Sequence, residues 1–237
     1  MTESFREALE QIMCGRLTLK TPGDQLSQML LPLVSEVRLP SNYQPRYNIA
    51  PTQTVLGVAN GLAGHELSSY RWGLVPPWAP DFNIGSRMIN ARRETLLEKR
   101  SFRAPLEKRR CLIVADGYYE WKPLSSQTKQ AYWITPRGNG LLLLAGLWEI
   151  NSKASGQPIE TCTIITTAAN STMQRVHDRM PMPLDLTTAR RWLNPTLTAE
   201  KAFELLTEVD ADFLTCQPVS SFVNNARNEG PECIATT

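Results

Sequence analysis

The sequence predicts an α+β fold: a twisted antiparallel or mixed sheet with flanking helices. Three observations carry this expectation. Seven segments have the short, β-branched and aromatic-rich character of strands, whereas few stretches have helical spacing. Strands and helices do not alternate as in βαβ units, and neither G-x-G-x-x-G nor G-x-x-x-x-G-K-[ST] occurs, which disfavours a doubly wound nucleotide-binding sheet. A chain of 237 residues with 42% hydrophobic and 20% charged residues can bury a core, which sets disorder aside.

In chain order, residues 4–11 have helical spacing (Phe5, Ala8, Leu9, Ile12) in a dispensable opening, and 24–33 give a second helix before Pro40, Pro45 and Pro51 break the chain. Strands follow over 54–59, 67–72, 111–115, 118–122, 131–135, 141–148 and 160–167. Helices over 188–193 and 199–208 come last, each preceded by Thr suited to capping. The longest apolar run, 140–148, is far below the ~20 residues that span a bilayer, so no membrane association is expected. The first ten residues lack the apolar stretch of a secretory signal. Five scattered cysteines without a C-x-x-C pair, and only two histidines, argue against zinc and for reduced thiols in the cytoplasm.

Net charge is only +2, but it is unevenly placed. Residues 87–110 hold nine Lys or Arg against three Glu, +6 locally, which leaves −4 for the rest. This block is either a solvated helix face with Glu–Lys/Arg pairing or a phosphate-binding edge. Arg71-Trp-Gly-Leu-Val-Pro-Pro-Trp-Ala79 lies beside it, and a Trp there would stack an unpaired base or simply fill the core.

Several residues carry chemistry. Cys14, if it were amino-terminal, would present an amine and a thiol on adjacent carbons. The amine (reference pKa ~7.7–8.0) forms an imine with an aldehyde, and the sulfur (~8.5) closes a five-membered thiazolidine on it. An internal Cys14 is a small packed residue instead. His177, in Arg175-Val-His-Asp-Arg-Met-Pro181, is either an acid–base group or a buried ring satisfied by backbone, whereas His65 reads as a loop residue. Glu120 on a strand shares a face with Tyr118 and Lys122, while Tyr119 and Trp121 share the other. Between aromatic neighbours its carboxyl suits a general acid/base with a raised pKa; an ion pair with Lys122 is the alternative. Asn90, Arg92 and Arg93 offer an amide and two phosphate-shaped forks, or else a surface turn before a helix that Glu94 begins.

Eight strings occur in an order that resembles the SOS response-associated peptidase (SRAP) family. They are Met13-Cys-Gly-Arg16, Tyr47-Asn-Ile-Ala-Pro51, Arg71-Trp-Gly-Leu-Val-Pro76, Asn90-Ala-Arg-Arg-Glu-Thr95, Ala115-Asp-Gly-Tyr-Tyr-Glu-Trp121, Ala145-Gly-Leu-Trp148, Thr166-Thr-Ala-Ala-Asn170 and His177-Asp-Arg-Met-Pro181. The resemblance implies a compact α+β domain with a barrel-like sheet that senses abasic sites in single-stranded DNA and crosslinks to them reversibly, without metal or cofactor. It gives Cys14 the role of nucleophile and amine. Asn90 then orients the reacting groups, Glu120 serves methionine removal and proton transfer, and His177 assists sugar ring-opening and reversal. Arg16, Arg92 and Arg179 become phosphate contacts, Trp78 the stacking wedge, and Tyr47 and Asn48 lining of the same cleft. A monomer bound to nucleoid DNA is expected.

The resemblance places Cys14 directly after an initiator methionine, yet twelve residues precede Met13. Residues 1–13 are therefore expected to be absent or removed, with 14–237 as the working domain. Translation from Met13 achieves this, as does self-cleavage between Met13 and Cys14. Two rivals stay open: a thiol peptidase acting in trans through Cys14, His177 and Glu120, and a non-catalytic single-strand binder.

Overall fold

Alternating side chains and short turns fold this chain into two sheets. The computed structural model describes residues 15–62, 64–138 and 140–236, so the helix expected over 4–11 lies outside the described residues. Strand β1 (Arg16–Leu19) leads to helix α1 (Gly23–Leu30), β2 (Arg46–Ile49), β3 (Thr54–Gly61) and β4 (Gly64–Trp72). Next come β5 (Asn90–Arg92), α2 (Arg100–Lys108), β6 (Arg110–Ala115), β7 (Gly117–Pro123), β8 (Lys129–Pro136), β9 (Leu142–Asn151) and β10 (Ile159–Ala168). The order ends with β11 (Arg179–Pro181), β12 (Pro183–Leu184), α3 (Leu186–Trp192), α4 (Ala199–Glu204) and β13 (Leu214–Pro218). The α+β class expected from sequence is the class observed.

The smaller sheet is antiparallel throughout, in the order β13-β8-β7-β1-β2. In the larger, β4-β3-β6-β9-β10 closes on itself because β10 also pairs with β4, in parallel, giving a ring of five strands. β10 then changes partners. Its first half lies between β9 and β4, and its last residues lie between β11 and the short parallel strand β5. That exchange carries Asn90, Arg92 and Arg179 to one end of the ring.

A single residue, Asp116, joins the two sheets, between the end of β6 and the start of β7. Its buried carboxylate accepts from Thr18 Oγ1 (2.6 Å), Lys20 N (2.7 Å), Thr21 N (2.9 Å) and Thr21 Oγ1 (2.8 Å), so the corner is braced by the segment after β1. At Gly117 a Cβ would collide with Trp133 Nε1 and Thr18 Oγ1; only glycine lets β7 pass this close. The two fully buried tryptophans satisfy their ring N–H groups on backbone, Trp72 on Ile89 O and Trp192 on Cys111 O, both at 2.9 Å.

Local chemistry accounts for the boundaries that differ from expectation. α3 begins at Leu186, two residues early, because Asp185 caps it by accepting from Thr188 N at 2.9 Å. The helix expected from Glu94 begins instead at Arg100, after a 3-10 turn over Arg93–Thr95. His65 lies in β4 rather than in a loop, with Nδ1 3.0 Å from Leu33 O. The described cysteines, Cys111, Cys162, Cys216 and Cys233, are all free. Among the described residues no helix is long and apolar enough to cross a membrane.

Thr52 alone among described non-glycine residues has positive φ, 71°. A β-branched side chain there costs about 1–2 kcal/mol, and Asn tolerates the conformation better. Thr52→Asn is expected to raise stability by about 0.5–1 kcal/mol in urea melts. A lower midpoint would mean that the threonine side chain stabilises the turn in its own right.

Candidate functional site

Glu120 sits in β7 opposite Tyr132 of β8 and is 3% exposed. On the other edge of β7, Arg16 at the start of β1 pairs with Tyr119, the neighbour of Glu120. Gly15 is bonded to Cys14, which lies outside the described residues. The alternation expected for this strand is present: the Tyr119 and Trp121 rings share a face, with centroids 6.3 Å apart.

Arg16 anchors the same edge. Its Nη1 donates to Asn48 Oδ1 (2.7 Å) and Val223 O (2.9 Å), its Nη2 to Asn224 O (3.3 Å), and its guanidinium lies 5.6 Å from the Trp121 ring centroid. Trp121 Nε1 in turn donates to Asn224 Oδ1 at 2.8 Å. Burial pulls the Arg16 pKa below its ordinary value. Asn48 is fully buried and turned inward; its Nδ2 donates to the carbonyls of Asn228 (2.9 Å), Asn225 (3.0 Å) and Val223 (3.3 Å). It thereby fixes Arg16 and the C-terminal strap. Tyr47 contributes its backbone: its carbonyl accepts from Tyr119 Oη at 2.7 Å and its N–H donates to Glu229, which also pairs with Arg46 at 2.7 Å.

A second group forms where β10 changes partners. Asn90 pairs with Ile164 and Arg92 with Thr166, and the Arg92 side chain is exposed. Across β10, Arg179 pairs with Ala168. The Arg179 guanidinium grips Glu94 with two bonds, 2.6 and 2.9 Å, and donates to Thr166 O at 2.9 Å. This fork holds the Glu94 carboxyl below its ordinary pKa and leaves little of Arg179 free for a phosphate. The Arg179 backbone N–H donates to His177 Nδ1 at 3.0 Å, which assigns the neutral ring's proton to Nε2. Asp178 Oδ1 lies 2.9 Å from the same Nδ1.

Trp78 is 49% exposed on the loop that leaves β4. The loop departs beside Asn90, with Leu74 N donating to Met88 O at 3.1 Å.

The basic block divides in two. Arg110 is buried, with its fork on the carbonyls of Leu106, Glu107, Trp192 and Asn194. Arg109 pairs with Glu149 at 2.7 Å, and Arg93 donates to Leu206 O and stacks on Phe203. These three are structural, a correction to reading the whole +6 as one phosphate-binding edge. Arg87, Arg92, Lys99, Arg100, Arg103 and Lys108 remain exposed. Glu94 and residues 225–228 of the strap belong to the site without being singled out by the sequence, whereas Val223-Asn224 loosely fits the C-terminal pattern of the family resembled; the charge alternation Arg92-Arg93-Glu94 is the available signal for Glu94.

The family model described as SOS response associated peptidase (SRAP) matches residues 13–226. Abasic site processing protein YoqW of Bacillus subtilis (strain 168) is 44% identical over 223 residues, covering 94% of this chain and 99% of its own. Abasic site processing protein HMCES of Rattus norvegicus is 30% identical over 269 residues, covering 94% of this chain and 76% of its own. Among solved structures, a Bacteroides thetaiotaomicron protein superposes with a TM-score of 0.82 at 24% identity, covering 94% of this chain and 100% of its own. A phage-related protein from Bordetella bronchiseptica gives 0.70 at 31% identity, covering 87% of this chain and 94% of its own. With that match over most of its length, this chain belongs to the SRAP family.

Proposed function

We propose that the protein recognises abasic sites in single-stranded DNA and couples to them through Cys14, exposed as the amino terminus by loss of residues 1–13, with 14–237 as the working unit. The observation that supports this reading is the register of β1 on β7, Arg16 against Tyr119, which sets the start of β1, two residues after Cys14 in the sequence, next to the neighbour of the buried Glu120. Consecutive Cα atoms are about 3.8 Å apart, so the tether is short. The names of the curated relatives support abasic sites as the target.

The chemistry balances without an outside oxidant. The neutral α-amine of Cys14 adds to the C1′ aldehyde of the ring-opened sugar, water leaves, and an imine forms. The thiol sulfur then adds to the imine carbon while its proton goes to nitrogen, closing a thiazolidine. Glu120 takes and returns protons at the amine, and earlier activates the attack that frees it from Met13. His177 assists opening of the sugar. Asn90 orients the amine, while Arg92, Arg16 and the remaining donor of Arg179 meet phosphates, and Trp78 stacks beside the gap. Shielding of the lesion follows from the covalent bond.

Mixing the protein with single-stranded DNA that carries one abasic site should give a complex that survives denaturant. Its intact mass should equal chain from Cys14 plus DNA minus one water. A stable complex of a chain still beginning at Met1 or Thr2 would exclude the thiazolidine. Glu120→Gln should retain Met13 and so give no denaturant-stable complex, and molecules of the variant freed to Cys14 by another peptidase should couple about 10²-fold more slowly, the usual contribution of a positioned acid–base group. Complete processing with normal coupling rates in that variant would remove Glu120 from both steps.

A further inference from the structure

We infer that Asn151 is a positioning residue for DNA binding: its buried carboxamide clamps the Trp78 loop and presents the indole to an unpaired base in a fixed attitude. This rests on the reading that Trp78 stacks against the damaged strand.

Asn151 is the last residue of β9 and is fully buried. Its Nδ2 donates to Pro76 O at 2.7 Å and to Ala79 O at 2.9 Å. Its Oδ1 accepts from Lys153 N at 3.0 Å and Ala154 N at 2.8 Å. Both donors and both acceptor positions of the amide are therefore in use, and no other neutral side chain of this shape offers the same set. The two carbonyls it holds bracket Pro77 and Trp78, whose side chains are exposed.

The rest of the loop is fixed to match. Ala79 N closes the turn on Pro76 O at 3.0 Å. Val75 N donates at 2.9 Å to Oγ1 of Thr161, itself fully buried. Pro76 and Pro77 lock two successive φ angles. A large aromatic ring is thus held out in water on a backbone anchored at both ends from the core. A loop already ordered gives up little freedom when a base docks, so the stacking energy is not offset by an ordering cost. Asp at 151 keeps the shape but loses both donors and turns a carboxylate toward two carbonyl oxygens.

The test uses a single strand carrying a tetrahydrofuran abasic analogue, which has no aldehyde and so reads noncovalent affinity alone. Trp78→Ala should weaken binding about tenfold. Asn151→Asp should weaken it about fivefold when Trp78 is present, yet by less than about twofold in the Trp78→Ala background, because the clamp acts through that ring. Equal losses in both backgrounds, or no loss in either, overturn the clamp while leaving the stacking reading intact. A Trp78→Ala variant that binds like the parent overturns the stacking reading, and the clamp with it. Pro77→Gly loosens the same loop from its exposed side and should show the same dependence on Trp78. It decides the matter if Asn151→Asp no longer melts cooperatively, and losses independent of Trp78 overturn the proposal there too.

Discussion

Replacing Cys14 with Ser is expected to abolish the denaturant-stable complex with abasic single-stranded DNA, while affinity for the tetrahydrofuran strand stays within about twofold. The variant keeps its amine, provided Met13 is still lost, and so still forms the imine. What it lacks is the sulfur that drains the imine into a ring. Borohydride should therefore trap the Cys14→Ser variant on DNA by reducing the imine, whereas a protein that retains Met13 has the nitrogen of residue 14 in an amide and should give no product trapped through that residue. This pattern separates capture from its rivals. A peptidase acting in trans would lose peptide cleavage on the same substitution, and a simple binder would never have formed the complex. A denaturant-stable product from the serine variant without reductant would move the bond to another residue.

The largest loss of stability is expected at Arg110. Its guanidinium donates to Leu106 O (2.6 Å) and Glu107 O (2.9 Å), in the last turn of α2, and to Trp192 O (2.7 Å) and Asn194 O (2.5 Å), at the end of α3. Two helix C-termini, each the negative end of its dipole, thus converge on one buried cation. Burial pulls its pKa down from the ordinary arginine value, and Glu107 partly restores it. Arg110→Met would fit the space yet leave four carbonyls without donors, and it should cost about 3–5 kcal/mol in urea or thermal melts. Arg110→Lys, which cannot reach both helix ends, should fall between the two. A methionine variant as stable as the parent would mean that water enters and satisfies the carbonyls.

The same residue shows why the site is only partly legible in the sequence. In a string of nine cations nothing distinguishes Arg110, wrapped by carbonyls from two helix ends, from Arg103 in solvent, because burial is decided by contacts more than eighty residues away. The longer strands, β3, β4 and β6–β10, are readable from alternation and composition. β5, β11 and β12, of two or three residues, are too short to express a period, yet they carry or follow Asn90, Arg92, His177 and Arg179. The ring closes through a parallel pairing of β4 with β10, distant in sequence, which leaves no local trace. The roles of Asn48 and Asn151 are equally opaque: a buried Asn is recognised by the carbonyls it serves, and those come from other loops.

The contacts of Arg16 also set an order of events during synthesis. Its partners on the strap stand 207 and 208 positions downstream. A ribosome releases position 16 long before position 224, so the brace on the first strand is completed only after nearly every strand has emerged. Until then a nascent polypeptide carries its first strand without its far brace, and that edge of β7 is completed only with the strap.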